Sequence, residues 1–143
     1  MAVAPANHLD MFKIVVALIL FAHGIGHIMG PLKLFNLATI NPEWQGDSWL
    51  LGGLGIGVTN VVGVALWLSA MFGFTALAAV VMGWLPGEWW APLAVFSSLA
   101  SLAGVLLFPL AFPTFSTVGA VIVDAVVLAS VVWFHWTPQE LTA

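Results

Sequence analysis

The sequence contains no cysteine, no arginine and no tyrosine, and charged residues of any kind are scarce. Only 6% of its 143 residues are charged, with two lysines against six acids, whereas about 25% of a soluble globular domain is charged. So few charged residues cannot form the water-exposed surface of a soluble protein. The absence of cysteine also excludes disulfide scaffolds, thiolate metal sites, iron–sulfur clusters and cysteine nucleophiles.

Positive charge is especially rare in this chain. Lys13 and Lys33 are the only basic side chains apart from four histidines, and the formal net charge is -4. No basic patch is therefore available for nucleic-acid phosphates, which excludes nucleic acid as a partner. The two lysines flank opposite ends of the first apolar segment, so the positive-inside rule leaves the orientation in a membrane undecided.

Apolar residues dominate the composition, since 62% of the chain is hydrophobic. At about 20 residues for each crossing of a bilayer, the chain is long enough for about four spans. We expect one all-α domain, residues 1–143, folded as an integral membrane four-helix bundle with short loops. The predicted spans are 12–30, 58–84, 89–108 and 116–136, and an even number of crossings places both termini on the same side. The lipid bilayer is thus the first expected partner.

The apolar tract 48–85 is almost twice as long as one crossing requires and has to be divided. Four glycines, from Gly52 to Gly57, weaken its first third as a helix. We therefore interpret 48–57 as a lead-in or re-entrant segment before a long second span. The alternative is a crossing at 49–70, which leaves 72–85 too short to span alone. The first span is expected to end where Pro31 interrupts the helix.

Three ionisable residues, His23, His27 and Asp124, lie within the predicted spans, where each costs roughly 2.5–3.5 kcal/mol on insertion scales. His23 and His27 are four residues apart and therefore share a helix face. With a rise of about 1.5 Å per residue, His23 and Asp124 lie at the same depth on the same side of the bilayer centre. We expect them to pair in the bundle interior, with His27 within reach of the carboxylate through a water molecule.

Asn60 is the polar residue whose position depends on how the long tract is divided. With the preferred division it lies near the start of the second span, closer to His27 than to Asp124. With the alternative division it lies at mid-bilayer and joins the His–Asp site. Small residues, including Gly24, Gly26, Gly30 and a stripe that contains Ser101, are predicted to allow close helix packing.

The three ionisable residues admit several interpretations. A His–Asp hydrogen bond can be purely structural, or it can belong to a ligand-binding pocket or a proton relay with histidine as the switchable group. His23, His27 and Asp124 could also hold a transition metal. Residues 24–26 lack the glutamate of the two-histidine zinc hydrolases, and two histidines on one helix face cannot clamp one haem from both sides.

The segment 21–28, which carries a His-Gly-x-x-His motif, resembles a pattern found in small bacterial membrane proteins. The same pattern includes a Trp89–Trp90 pair and a central aspartate, Asp124, in the last span. These proteins are four-span bundles, loosely similar to the DoxX-like group. The resemblance implies a four-helix integral membrane protein, and it implies no substrate, cofactor or catalytic residue.

Three functional hypotheses follow, and the first favours a binding or transport-type protein over an enzyme. In that hypothesis a multi-pass membrane protein binds or passes a small molecule or protons at His23, His27, Asp124 and Asn60. The alternative is a structural or accessory subunit of a larger membrane complex, with membrane-protein partners or further copies of itself. The third is a membrane metalloprotein with a transition metal at the His–Asp site.

Overall fold

A computed structural model describes residues 8–138, and within that range the secondary structure is helical without any strand. The helices are α1 His8–Gly26, α2 Met29–Leu34, α3 Ile56–Val81, α4 Trp90–Leu107 and α5 Thr114–Val132. Short 3-10 turns at Gly52–Leu54 and Gly87–Trp89 precede α3 and α4. The expected all-α class is confirmed, and four segments are long and apolar enough to cross a membrane: Met11–Leu34, Ile56–Val81, Gly87–Leu107 and Thr114–Val132.

The long apolar tract forms a single continuous helix, α3, which runs through residues 70–72 without a break. Gly55 marks its start, because a φ of 85° at this position is a left-handed conformation that glycine adopts without strain. Between residues 48 and 55 the only helical element is the 3-10 turn Gly52–Leu54, in keeping with the helix-weakening glycines. Whether 48–57 re-enters a membrane stays a prediction.

The first predicted span, 12–30, is interrupted earlier than Pro31. The α-helix ends at Gly26, and α2 begins at Met29 with Pro31 inside its first turn. Proline has no N–H, and its ring collides with the carbonyl four residues upstream, which here belongs to His27. The chain therefore turns at 27–28, and the His27 carbonyl accepts the N–H of Gly30 at 3.3 Å instead. This break places His27 at a helix end.

The last predicted span, 116–136, corresponds to α5, which begins and ends a few residues earlier. Beyond Val132 the chain turns back on itself, with the Phe134 N–H on the Ala129 carbonyl and the Trp136 N–H on the Ser130 carbonyl. His135 takes a φ of 50° in this turn. A left-handed residue cannot continue a right-handed helix, so residues 133–136 lie outside it.

Helix α3 is the centre of the fold. It packs against α1 on one side and α4 on the other, α5 packs against α4, and α1 meets α5 only over a short stretch. Two glycines allow the close approaches. A Cβ on Gly24 would lie 3.0 Å from the Met71 carbonyl oxygen of α3, and a Cβ on Gly73 would overlap Ser97 of α4. Of the pairs of long helices described above, α1 and α5 are the least closely packed.

A second packing centre surrounds Trp67, which is fully buried. Gly30, Gly63 and Gly104 face its indole so closely that none has room for a Cβ at ordinary contact distance. Other aromatic rings complete the cluster: Trp44, Phe108 and Phe112. The cluster ties α2 and the loop after it to α3 and α4, and so fixes the chain that follows His27.

We expect Gly30→Ala to destabilise the protein by about 2 kcal/mol, because the added methyl group overlaps the Trp67 ring and overpacking costs about 1–3 kcal/mol. Gly119→Ala is the matched control, since a Cβ there meets nothing within 4 Å and alanine favours a helix. Unfolding in detergent, followed by circular dichroism, measures both. Equal stability of the two variants would show that the Trp67 packing is loose.

Candidate functional site

The structure brings His23 of α1 and Asp124 of α5 into direct contact. Nε2 of His23 lies 3.0 Å from Oδ1 of Asp124, at the level where α1 and α5 approach each other. The Asp124 side chain is fully buried, and the His23 side chain is 8% exposed. The expected His–Asp pair is therefore present, and it bridges α1 and α5, the least closely packed of those helix pairs.

Ser101 of α4 joins this pair to His27 without any water molecule. Its hydroxyl donates a 2.6 Å hydrogen bond to Oδ2 of Asp124, and its oxygen lies 3.1 Å from Nε2 of His27. The sequence predicts Ser101 only as a member of a stripe of small packing residues. Its spacing from Ser97 and Gly104 indicated a buried helix face, but nothing in the sequence gave the direction of that face.

The hydrogen-bond directions follow from the serine. A hydroxyl has one hydrogen, and Ser101 gives it to the carboxylate. Its oxygen must therefore accept from His27, which places a proton on Nε2 of that imidazole. The result is one connected chain of polar groups, in the order His23, Asp124, Ser101, His27, with contributions from three helices.

Aromatic rings hold the two imidazoles in place. The ring of Phe74 meets His23 edge-on with centroids 4.3 Å apart, and Phe112 meets His27 edge-on at 6.2 Å. The two imidazoles meet each other at 5.0 Å, also edge-on. Since His27 is only 4% exposed and Ser101 is fully buried, the arrangement is a rigid part of the interior.

A cavity of about 480 Å³ lies between α1 and α5, and both imidazoles line it. Asp124 and Ser101 do not line it and stand behind the histidines. Most of the remaining wall is apolar, with Ser116 and Thr117 near one end: Ile19, Ala22, Gly26, Met29, Val105, Phe112, Phe115, Gly119, Ala120 and Val123. A molecule in this cavity would meet the imidazoles first and the acid only through them.

Asn60 does not belong to this cluster. It lies in the first part of α3 and lines a separate groove of about 350 Å³ with Leu34 and Phe35. Phe74, which contacts His23, is fourteen residues further along the same helix, or about 21 Å at the α-helical rise. Its inclusion in the site depended on the alternative division of the long tract, and α3 does not follow that division.

The metal interpretation gains no ligand set from the geometry. Within residues 8–138 no group of three or more His, Cys, Asp or Glu side chains could hold a metal ion. Nε2 of each histidine is already committed, one to Asp124 and the other to Ser101. The metalloprotein hypothesis stays a prediction that rests on the spacing of His23 and His27 alone.

Serine, histidine and aspartate occur together here, but their connections are not those of a nucleophilic triad. In a triad, histidine accepts the serine proton and the acid orients the histidine. Here Ser101 gives its proton to Asp124 and accepts one from His27. Because Ser101 is also fully buried and absent from the cavity wall, it is not placed to attack a substrate.

The chain matches no protein-family model, no curated protein and no solved structure. The similarity to DoxX-like proteins therefore stays a resemblance of motif and layout. Conclusions about function rest on the geometry of the site.

We expect Asp124→Leu to be less stable than Asp124→Asn by about 2 kcal/mol. An amide can still pair with His23 and Ser101, whereas leucine leaves Nε2 of His23 without a partner and removes the acceptor of the Ser101 hydroxyl, which keeps only its contact with His27. An unsatisfied buried polar group costs about 1–3 kcal/mol. Ser130→Ala is the control on the same helix, because the Ser130 hydroxyl bonds only the Val127 carbonyl. Unfolding in detergent measures all three variants. If the leucine variant is as stable as the asparagine variant, the polar bridge does not contribute to the stability of the protein.

Proposed function

We propose that this chain is a multi-pass integral membrane protein that binds a small, largely apolar molecule in the cavity between α1 and α5. Membrane insertion is supported by the four long apolar segments and by the outward faces of the helices. Several large apolar side chains there are more than half exposed: Leu18, Phe72, Leu106, Phe115 and Ile122. Exposure of this kind suits contact with lipid tails and is costly in water.

The observation that carries the binding proposal is the combination of an apolar cavity with two imidazoles in its wall. A volume of about 480 Å³ lies within the range of small-molecule sites, about 300–1,000 Å³. Such sites are mostly apolar, with a few polar groups that orient the ligand. His23 and His27 fill that role here, and Asp124 and Ser101 hold them in position.

The rim of the cavity supports access from the side of the bundle. Ile19 of α1 and Phe115 of α5 both line the cavity, and their side chains are 51% and 90% exposed. In a bilayer these residues face the acyl chains. A ligand dissolved in the membrane can therefore enter between α1 and α5 without passing through water.

The geometry favours binding over proton transfer across the membrane. A transmembrane relay needs polar groups that continue towards both surfaces. Both ends of the hydrogen-bonded chain are imidazoles that line the same cavity, and Phe74 packs directly on His23. A second groove lies further along the α1–α5 seam, and its wall is apolar or aromatic except for Ser130. This wall does not continue the chain of polar groups that a relay would need.

The uneven covering of the helices favours an accessory subunit as the second candidate. In the most apolar 18-residue stretch of α5, 11% of the residues are buried inside the fold, whereas the corresponding fraction is 44% for the stretches that contain α3 and α4. Exposed apolar helix faces can pack against another membrane protein as well as against lipid. Purification in mild detergent separates the candidates, because a subunit brings a protein partner in fixed ratio.

Filling the cavity tests the binding proposal. We expect Gly119→Leu to fold normally, because a Cβ at this helical position meets nothing within 4 Å. The leucine side chain should then occupy part of the cavity that Gly119 lines. Gly57→Leu is the matched control. It adds the same side chain to α3 at another open position, outside that cavity.

Small molecules are extracted from each purified protein and identified by mass spectrometry. Molecules that are also extracted from an unrelated membrane protein are treated as background lipid and subtracted. We expect a molecule that accompanies the parent chain and Gly57→Leu and is lost from Gly119→Leu. An identical extract from all three proteins would contradict binding in this cavity.

A further inference from the structure

The unused nitrogen atoms of His23 and His27 specify the head group of the ligand. Nε2 of His23 is engaged with Asp124 and Nε2 of His27 with Ser101. Within the described residues, no hydrogen bond involves Nδ1 of either ring. Because both imidazoles line the cavity, their Nδ1 atoms are available to form hydrogen bonds with a bound molecule, besides the hydroxyl groups of Ser116 and Thr117 in the same wall.

Nδ1 of His27 is an acceptor. The Ser101 hydroxyl donates to Asp124, so the His27 proton lies on Nε2. A neutral imidazole carries one proton, which leaves Nδ1 of His27 with a lone pair. A ligand must present a hydrogen-bond donor to satisfy it.

Nδ1 of His23 is a donor when the cluster is electrically neutral. No cation approaches Asp124 in the described part of the chain other than the imidazole of His23, and an isolated charge costs several kcal/mol in an apolar interior. The cluster is neutral in two states. In the first, His23 carries protons on both Nε2 and Nδ1, and Asp124 is an ionised carboxylate. In the second, Asp124 is protonated and donates its hydrogen to Nε2 of a neutral His23. Nδ1 of His23 carries a hydrogen in either case.

The two imidazoles in the wall of this largely apolar cavity therefore offer one donor and one acceptor. From these positions we infer that the ligand, whose binding is the function proposed above, carries a neutral hydroxyl group on an apolar body, as in a hydrophobic alcohol or a phenol. The oxygen accepts from His23 and donates to His27. The imidazole centroids are 5.0 Å apart, so the two rings are close enough for one oxygen atom to form a hydrogen bond with each.

Charged head groups fit this position less well. An anion would come close to the buried Asp124 carboxylate, and neither lysine lines the cavity. A cation would find no exposed carboxylate, because Asp124 lies behind the imidazoles and its two oxygens already take part in hydrogen bonds. An ether or a hydrocarbon has no donor for His27. The hydroxyl group meets both requirements with one atom.

The test compares three naphthalene probes that share an apolar body: 2-naphthol, its methyl ether, and 2-naphthoate. Binding to the full chain in lipid nanodiscs is measured by ultrafiltration, and empty nanodiscs correct for partition into lipid. We expect 2-naphthol to bind at least about tenfold more tightly than the methyl ether, because one hydrogen bond of about 1.4 kcal/mol corresponds to that factor. The anionic naphthoate should bind more weakly than 2-naphthol.

The variant His27→Gln tests the assignment to Nδ1. The glutamine amide nitrogen can take the place of Nε2 and continue to donate to Ser101, but no acceptor then occupies the position of Nδ1. We expect the preference for 2-naphthol over its ether to fall to about twofold or less, with an unchanged unfolding midpoint. His135→Gln is the matched control, since His135 does not line this cavity, and it should retain the full preference.

The outcomes separate this inference from the proposed function. If 2-naphthol and its ether bind equally and Gly119→Leu abolishes both, the cavity binds apolar molecules and the hydroxyl inference is wrong. Tighter binding of naphthoate would also overturn it. If none of the probes binds above the nanodisc background, both the inference and the proposed function fail.

Discussion

One buried carboxylate determines the arrangement of this protein. Asp124 is fully enclosed, and an acid in an apolar helix has to find hydrogen-bond partners on other helices because neither lipid nor the core supplies them. Its two oxygens find partners on α1 and α4, in His23 and Ser101. Since α1 and α5 otherwise touch over only a short stretch, this polar contact is the main link between the first and last long helices.

The α1–α5 seam contains open space next to this contact. Elsewhere glycines allow helices to pack closely, as Gly24 does with α3. At the seam, by contrast, a Cβ on Gly26 or Gly119 would meet nothing within 4 Å, and both glycines line the cavity beside the histidines. The bridge therefore holds two helices together at one level while the space next to it stays available. A buried polar pair beside an apolar cavity is an arrangement suited to the ligand binding that we propose above.

Composition and periodicity were sufficient to predict the all-α class, and the depth of each residue along its helix was sufficient to predict the His23–Asp124 pair. The sequence could not give the rotation of α4, so Ser101 was assigned to packing only. It also left the position of Asn60 open between two divisions of the long tract, since the start of α3 depends on one left-handed glycine within a glycine-rich tract. The turn at His27 follows from Pro31 four residues later, a clash that ends a helix upstream of the proline.

The central claim is that His23 and Asp124 stabilise the bundle through each other. A double-mutant cycle with His23→Leu, Asp124→Leu and the double variant measures this directly, as unfolding free energies in detergent. We expect a coupling energy of about 1–2 kcal/mol, so that the double variant is destabilised by less than the sum of the two single variants. Effects that add within about 0.5 kcal/mol would contradict it, because independent residues cannot form the bridge on which the seam and its cavity depend.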